Sequence, residues 1–235
     1  MFWKDNLRSV CIFVIVLLFL PGVLLGETAE CEDLFKNLKA TFENIKDYSC
    51  IYEAYTSDGK MSEKVVYDYF YKKPRQIRMK VLSGKANYNG TILLYTGGKV
   101  RVKVEKGMLS LFTFCLGTDN KRILTLRNYG IDRSDWGWFI DYHIENTPLL
   151  DCRSVYEEIV DGRETNVYEI YSKDPVKTDY IAREILWIDK KDNIIVKSSE
   201  YDIYNNLLQS FLFKDIVLNS GLEDGLFMNF KIKEQ

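Results

Sequence analysis

The sequence predicts a mainly β chain of the α+β class, with ten or eleven antiparallel strands, one N-terminal helix and one short central helix. Turn signals recur through most of the chain at the roughly 8–12-residue spacing of a β-meander. Tyr, Phe and Trp supply 14% of the residues, and pleated, half-buried surfaces favour these side chains. Only 4 Pro occur in 235 residues, which leaves little of the chain for linker or disorder.

The N-terminus has the three-part layout of a secretory signal peptide over residues 1–26. Lys4 and Arg8 precede an apolar run over 10–20, Pro21-Gly22 ends it, and the small residues Gly26 and Ala29 offer cleavage points. That run of about 11 residues is short of the ~20 that a membrane span needs. An uncleaved anchor is the alternative. Neither Cys11 nor Cys31 has the preceding residues that lipoprotein processing requires. The expectation is therefore an exported, periplasmic chain with one domain over 27–235.

Next comes an amphipathic helix. Cys31, Leu34, Phe35, Leu38, Phe42 and Ile45 recur at steps of three and four, with Glu32, Lys36, Lys39, Glu43 and Lys46 between them. From Tyr48 the period becomes two. Strands are expected over 48–55 and 63–71 about a turn at Ser57-Asp58-Gly59-Lys60, with Val65, Tyr67, Tyr69 and Tyr71 on one face. Pro74 breaks the second, and 76–82 forms a third. Strands over 91–95 and 100–104 flank Gly97-Gly98-Lys99, and Lys106-Gly107 leads into a strand over 108–114.

Between Asp132 and Asp151 the pattern turns helical, since Trp136, Phe139, Ile140 and His143 share one face. Ser134 or Asp135 is the N-cap and Pro148 the stop. Strands resume over 155–160, 165–171, 181–188, 194–204 and 208–217, and Leu226, Phe227 and Phe230 close the chain. In 181–188, Ile181, Ile185 and Trp187 alternate with Ala182, Leu186 and Ile188. A sheet apolar on both faces must be covered twice, by its own curl, by helix, by a partner or by a ligand.

Removing the signal peptide leaves Cys31, Cys50, Cys115 and Cys152, and four cysteines permit three pairings. Cys31 with Cys50 is the poor one, because a helix of about 16 residues holds them roughly 24 Å apart. No two of these cysteines have zinc-ligand spacing. The net charge of −2 comes without any basic stripe, so no nucleic-acid partner is expected.

No enzyme is expected. His143 is the single histidine, lies on an apolar helix face, and has no G-x-S-x-G elbow to serve. Glu157-Glu158 and the pair Asp189 and Asp192 sit where solvated charges belong, and Gly97-Gly98 is a hairpin turn flanked by strands. No cofactor motif occurs.

The layout resembles the LolA/LolB-like periplasmic lipoprotein-carrier superfamily. The resemblance rests on one amphipathic helix followed by Tyr-rich hairpins, on Tyr71-Lys72-Lys73-Pro74-Arg75-Gln76-Ile77-Arg78-Met79, and on Leu94-Tyr95-Thr96-Gly97-Gly98-Lys99-Val100. The ending Val217-Leu218-Asn219-Ser220-Gly221-Leu222, with Gly225-Leu226-Phe227, adds to it. The stretch from Arg127 to Trp138 is more similar to an uncharacterised exported branch.

This resemblance implies an unclosed antiparallel β-barrel whose helices lie as a lid over an apolar concave face. Implied ligands are acyl chains of lipoproteins or other envelope lipids. Inner- or outer-membrane proteins are further partners, and the chain itself is expected to be a monomer. The expected lining is Tyr67, Tyr69, Ile77, Met79, Leu93, Tyr95, Ile185 and Trp187, with Trp136, Trp138, Phe139 and Ile140 on the lid. In the carriers an arginine of the basic-basic-Pro break latches the lid. Lys73 holds that position here, with Arg75 or Arg78 as substitutes. The alternative function is an envelope interaction or sensor module with the same fold and no lipid transport.

Overall fold

The computed structural model describes residues 24–84 and 88–230, so the segment read as a signal peptide lies outside it except for its last residues. The first element, α1 (Leu24–Asn44), buries Cys31, Leu34, Phe35, Leu38 and Phe42 and leaves Glu32, Lys36 and Glu43 in solvent. No helix among the described residues is long and apolar enough to cross a membrane.

Eleven strands then form one antiparallel sheet: β1 (Asp47–Ser57), β2 (Ser62–Lys72), β3 (Gln76–Ser83), β4 (Ile92–Thr96), β5 (Lys99–Lys103), β6 (Phe114–Gly117), β7 (Leu150–Val160), β8 (Arg163–Ser172), β9 (Arg183–Asp189), β10 (Ile195–Tyr201) and β11 (Leu207–Leu218). Their order is β6-β5-β4-β3-β2-β1-β11-β10-β9-β8-β7, so the sheet does not close and β6 and β7 are its edges. Two other elements complete the fold, α2 (Trp136–Asn146) and a single turn, α3 (Gly225–Met228).

Local chemistry fixes the hairpins. Gly97 and Gly98 both have positive φ, and so do Asp161 and Gly162, as two-residue turns that match strand twist require. Register shifts at Ser49/Ile51, Ser154/Tyr156 and Ile195/Lys197 add local bend, so the sheet wraps rather than lying flat. One expected strand is corrected. Met108–Leu111 is an exposed 3-10 turn, and pairing starts only at Phe114, because the run 108–112 meets no neighbour that would bury it.

The main core lies on the concave face, between the sheet and the two long helices. The two helices are attached differently. A Cys31–Cys152 disulfide joins α1 to β7 across a sequence separation of 121. At the other end of α1, Lys73 Nζ donates to the carbonyls of Phe42 and Glu43 at 2.9 and 2.7 Å, filling acceptors that a helix C-terminus leaves open. The remaining cysteines are free, Cys50 buried and Cys115 exposed on edge strand β6.

Candidate functional site

The site grows from the side-chain alternation of β1, β2 and β11. Tyr48, Cys50 and Tyr52 face inward from β1, opposite Tyr71, Tyr69 and Tyr67 of β2. Phe213 and Phe211 of β11 pair with Tyr52 and Ala54 on the same side. The rings form one continuous surface: Tyr48 stacks between Tyr71 and Tyr69 at 5.0 and 5.8 Å, and Tyr52 tilts against Phe213 at 5.0 Å. Ile77 and Met79 continue it on β3, and Tyr95 and Leu93 on β4, in register.

Six of the expected lining residues, Tyr67, Tyr69, Ile77, Met79, Leu93 and Tyr95, therefore share the concave face. Ile185 and Trp187 do not, and this corrects the expected lining. Trp187 is buried with Val160, Val167 and Val196 in a separate cluster on the convex face, with Ile185 packed against it. Their neighbours in sequence, Leu186 and Ile188, face inward instead. Strand alternation separates two faces but does not say which one is concave.

Over the aromatic surface lies α2. Asp135 is its N-cap and accepts from the Trp138 amide at 3.0 Å. Trp136 stacks on Tyr48 at 4.0 Å and Phe139 meets Phe211 edge-on, while Ile140 is buried toward α1 and Trp138 is only half-buried. Gly137 permits close contact with α1, since a Cβ there would lie 2.6 Å from the Phe42 ring.

Polar contacts hold both ends of this helix. At the first end, Arg75 donates through Nε to Asp135 Oδ2 at 3.0 Å, pairs with it through NH2 at 2.9 Å, and donates to the Asp132 carbonyl. Burial raises the Asp135 carboxyl's pKa more than Arg75 and the backbone amides lower it, so this carboxylate depends on its partners. Tyr69 Oη and Ser134 Oγ lie 3.3 Å apart beside it. The tyrosine hydroxyls of the sheet thus face the segment that leads into α2.

At the other end, His143 is buried between Phe35 and Phe139, with centroids at 4.5 and 4.3 Å. Its Nδ1 meets the Phe139 carbonyl at 2.8 Å and its Nε2 meets Glu184 Oε2 at 2.7 Å. A carbonyl only accepts, so Nδ1 is the donor to Phe139 and Nε2 bonds the Glu184 carboxyl. Ser198 Oγ donates to the other Glu184 oxygen at 2.5 Å. Serine and histidine bond the same carboxylate rather than each other, which makes a tether between α2 and β9 and not a proton relay to a nucleophile.

The two other expected latch residues act elsewhere. Lys73 caps α1, as described above. Arg78 faces the convex side and donates to the carbonyls of Leu226, Asn229 and Phe230, where Arg101 also binds Phe227 and Met228. The spacing of Arg78 from Met79 already puts it on the opposite face of β3. Nothing in its own strand shows that the C-terminal segment would cover it.

Space under α2 and under the segment 118–134 is small. One cavity of about 30 Å³ is lined by Tyr52, Trp136, Phe139, Glu200, Phe211 and Phe213, and a second of about 70 Å³ by Tyr67, Met79, Leu93, Ile123 and Ile131 among others. The segment 118–134 fills the mouth with Ile123 and Ile131 and is tied across it by Arg127 and Tyr129, which bond Asp179. Glu200 lines the smaller cavity, opposite Glu184 in register. Burial, then the neighbouring Glu184, push its pKa up to about 8. Sequence reading missed Glu184 and Glu200: each shares its strand with other charged residues, and only the sheet register makes them neighbours.

No family model matches the chain, and no curated protein does. Solved structures do match it. The Pseudomonas aeruginosa MucA/MucB complex aligns over 84% of this chain and 60% of that one, at 13% identity and a TM-score of 0.50. Lipoprotein LppX of Mycobacterium tuberculosis aligns over 83% and 98%, at 9% identity and a TM-score of 0.50. An uncharacterized conserved protein from Thermus thermophilus aligns over 85% and 93%, at 10% identity and a TM-score of 0.52. At such identities the likeness is one of fold. That fold is an open antiparallel sheet with helices over its concave face.

Proposed function

We propose that this chain is an exported, periplasmic binder or carrier of lipid acyl chains, which enter the concave face when α2 and the segment before it move aside. One observation carries the reading. Two helices cover the same aromatic surface, yet α1 is fixed by a disulfide while α2 is held at its ends by two side-chain locks. A cover meant only to complete a core has no need of that asymmetry.

While covered, the aromatic surface has no room for cargo. The cavities over it are about 30 and 70 Å³, against the ~300–1,000 Å³ of ordinary ligand sites. A roomier cleft of about 420 Å³ lies outside the cover, between α1 and α2 beside Arg75 and Asp135. Binding on the aromatic surface therefore requires opening, and the energies allow it. Ten buried methylenes contribute roughly 8 kcal/mol, while breaking the half-buried Arg75–Asp135 lock costs about 2 kcal/mol and the fully buried His143–Glu184 lock about 3–5 kcal/mol. Cargo can displace the lid, and no catalytic group is required. The proposed lining is Tyr67, Tyr69, Ile77, Met79, Leu93 and Tyr95, with Tyr48, Tyr52, Phe211 and Phe213. Trp136, Phe139 and Ile140 form the moving cover, and Arg75 is its latch in place of Lys73.

Native mass spectrometry of protein recovered after export tests the reading. Co-purifying lipid, displaced by added fatty acid, is the expected result. Bare protein that also takes up no fluorescent fatty acid would favour the interaction-module reading, in which the aromatic face is only a core.

A further inference from the structure

Antiparallel pairing gathers five connections at one rim of the half-barrel, with residues 58–61, 88–91, 104–113, 173–182 and 202–206. The opposite rim carries the turns 73–75, 97–98, 161–162 and 190–194. Most of the large apolar side chains that stand exposed among the described residues lie along the first rim. Each connection there contributes at least one, among them Met61, Tyr88, Met108, Leu111, Val176 and Tyr204. Met108 is 86% exposed, Leu111 81% and Tyr204 78%. The four turns of the opposite rim expose none. Single exposed apolar residues are ordinary, but a whole rim of them marks an interaction surface.

We propose that this rim docks on the surface of a lipid bilayer. Its apolar side chains come from separate loops set along an arc, so they offer neither a groove nor a flat face for a folded partner. They do fit a fluid apolar layer that each can enter on its own. The charges between them have both signs, Asp58 with Lys60, Glu105 with Lys106 and Asp174 with Lys177, so nothing selects a charged protein patch or an anionic headgroup. The larger cavity, under the segment 118–134, includes Thr56, Leu93 and Gln209, near the ends of their strands at this rim, so the mouth of the groove opens beside the docking surface. Docking does not depend on the groove taking an acyl chain.

The test is sedimentation of the full exported chain with phosphatidylcholine vesicles, with and without phosphatidylglycerol, at low and high salt. Binding is expected to both, with little salt dependence, because apolar insertion is not screened. The pair Met108→Asp and Leu111→Asp sits on exposed side chains, so near-UV circular dichroism should stay unchanged while vesicle binding falls by about tenfold or more. Lys99→Ala on the opposite rim should bind as the parent does. In a separate variant, Leu111→Trp, the added indole's fluorescence should be quenched by brominated lipid. Absence of vesicle binding, equal binding by the double Asp variant, or no quenching in the Leu111→Trp variant would each overturn the proposal. So would finding that the Asp pair instead dissolves a dimer seen by ultracentrifugation. Fatty-acid loading of the double Asp variant is a separate readout, expected to be unchanged, so failure of docking and failure of lipid binding are distinguishable.

Discussion

Replacing Arg75 with Met should unlatch α2 without unfolding the sheet. Asp135 is 2% exposed and is supported by the Trp138 and Gly137 amides and by its Arg75 contacts, whereas the Arg75 side chain is 37% exposed. Breaking a fully buried pair costs about 3–5 kcal/mol, and an exposed pair is worth about 0–1 kcal/mol. A half-buried pair with two hydrogen bonds lies between, at about 2 kcal/mol, which is roughly a 30-fold rise in the open population. Hydrogen–deuterium exchange of a peptide covering residues 136–146 reads this directly, with a β1–β2 peptide as the internal standard. Lys73→Met should loosen the end of α1 and leave α2 alone, because its partners are the Phe42 and Glu43 carbonyls. Adding Asp135→Asn to Arg75→Met should recover part of the protection by removing the unpaired charge. Exchange of α2 within twofold of the parent, or equal acceleration across the sheet, would refute the latch.

Four further outcomes follow from the same geometry. Glu200 holds its proton in the folded state up to about pH 8, against roughly 4.3 in the unfolded chain. Its contribution is thus full at acid pH and is lost as pH rises through that window. Melting temperature should fall between about pH 4 and 8, and Glu200→Gln should flatten the fall. A parallel slope in the variant would reject this. Replacing Cys31 and Cys152 with Ala opens a loop of 121 residues and should cost about 4 kcal/mol by urea melts, with α1 exchanging faster. Alkylation of the folded protein should label Cys115 and spare Cys50 until denaturant is added. Gly137→Ala, a gain of about 1 kcal/mol in an isolated helix, should instead lower the melting temperature by pushing Phe42 away.

The sequence's periodicities carried much of this fold. Alternation with well-placed turns is a local property, so the strands fell within a few residues of β1 to β5 and β7 to β11. The Asp135 cap was equally local. What stayed hidden depended on the third dimension. Whether Leu186 or Trp187 faces the groove is set by the direction in which the sheet curls, which neither side chain encodes. Lys73 and Arg75 are two residues apart in one hairpin, yet one serves α1 and the other α2. The His143–Glu184–Ser198 tether joins three elements distant in sequence. The segment 118–134 has no regular period, so its place across the mouth was not legible.

Photo-crosslinking with a diazirine-bearing fatty acid, followed by peptide mapping, bears most directly on the concave face as the acyl site. The labels should fall on peptides containing Tyr48 to Tyr52, Tyr67 to Met79, Trp136 to Ile140 and Phe211 to Phe213, and should rise with Arg75→Met. Labels on the Trp187 face, or none above a bovine albumin-competed background, would contradict it.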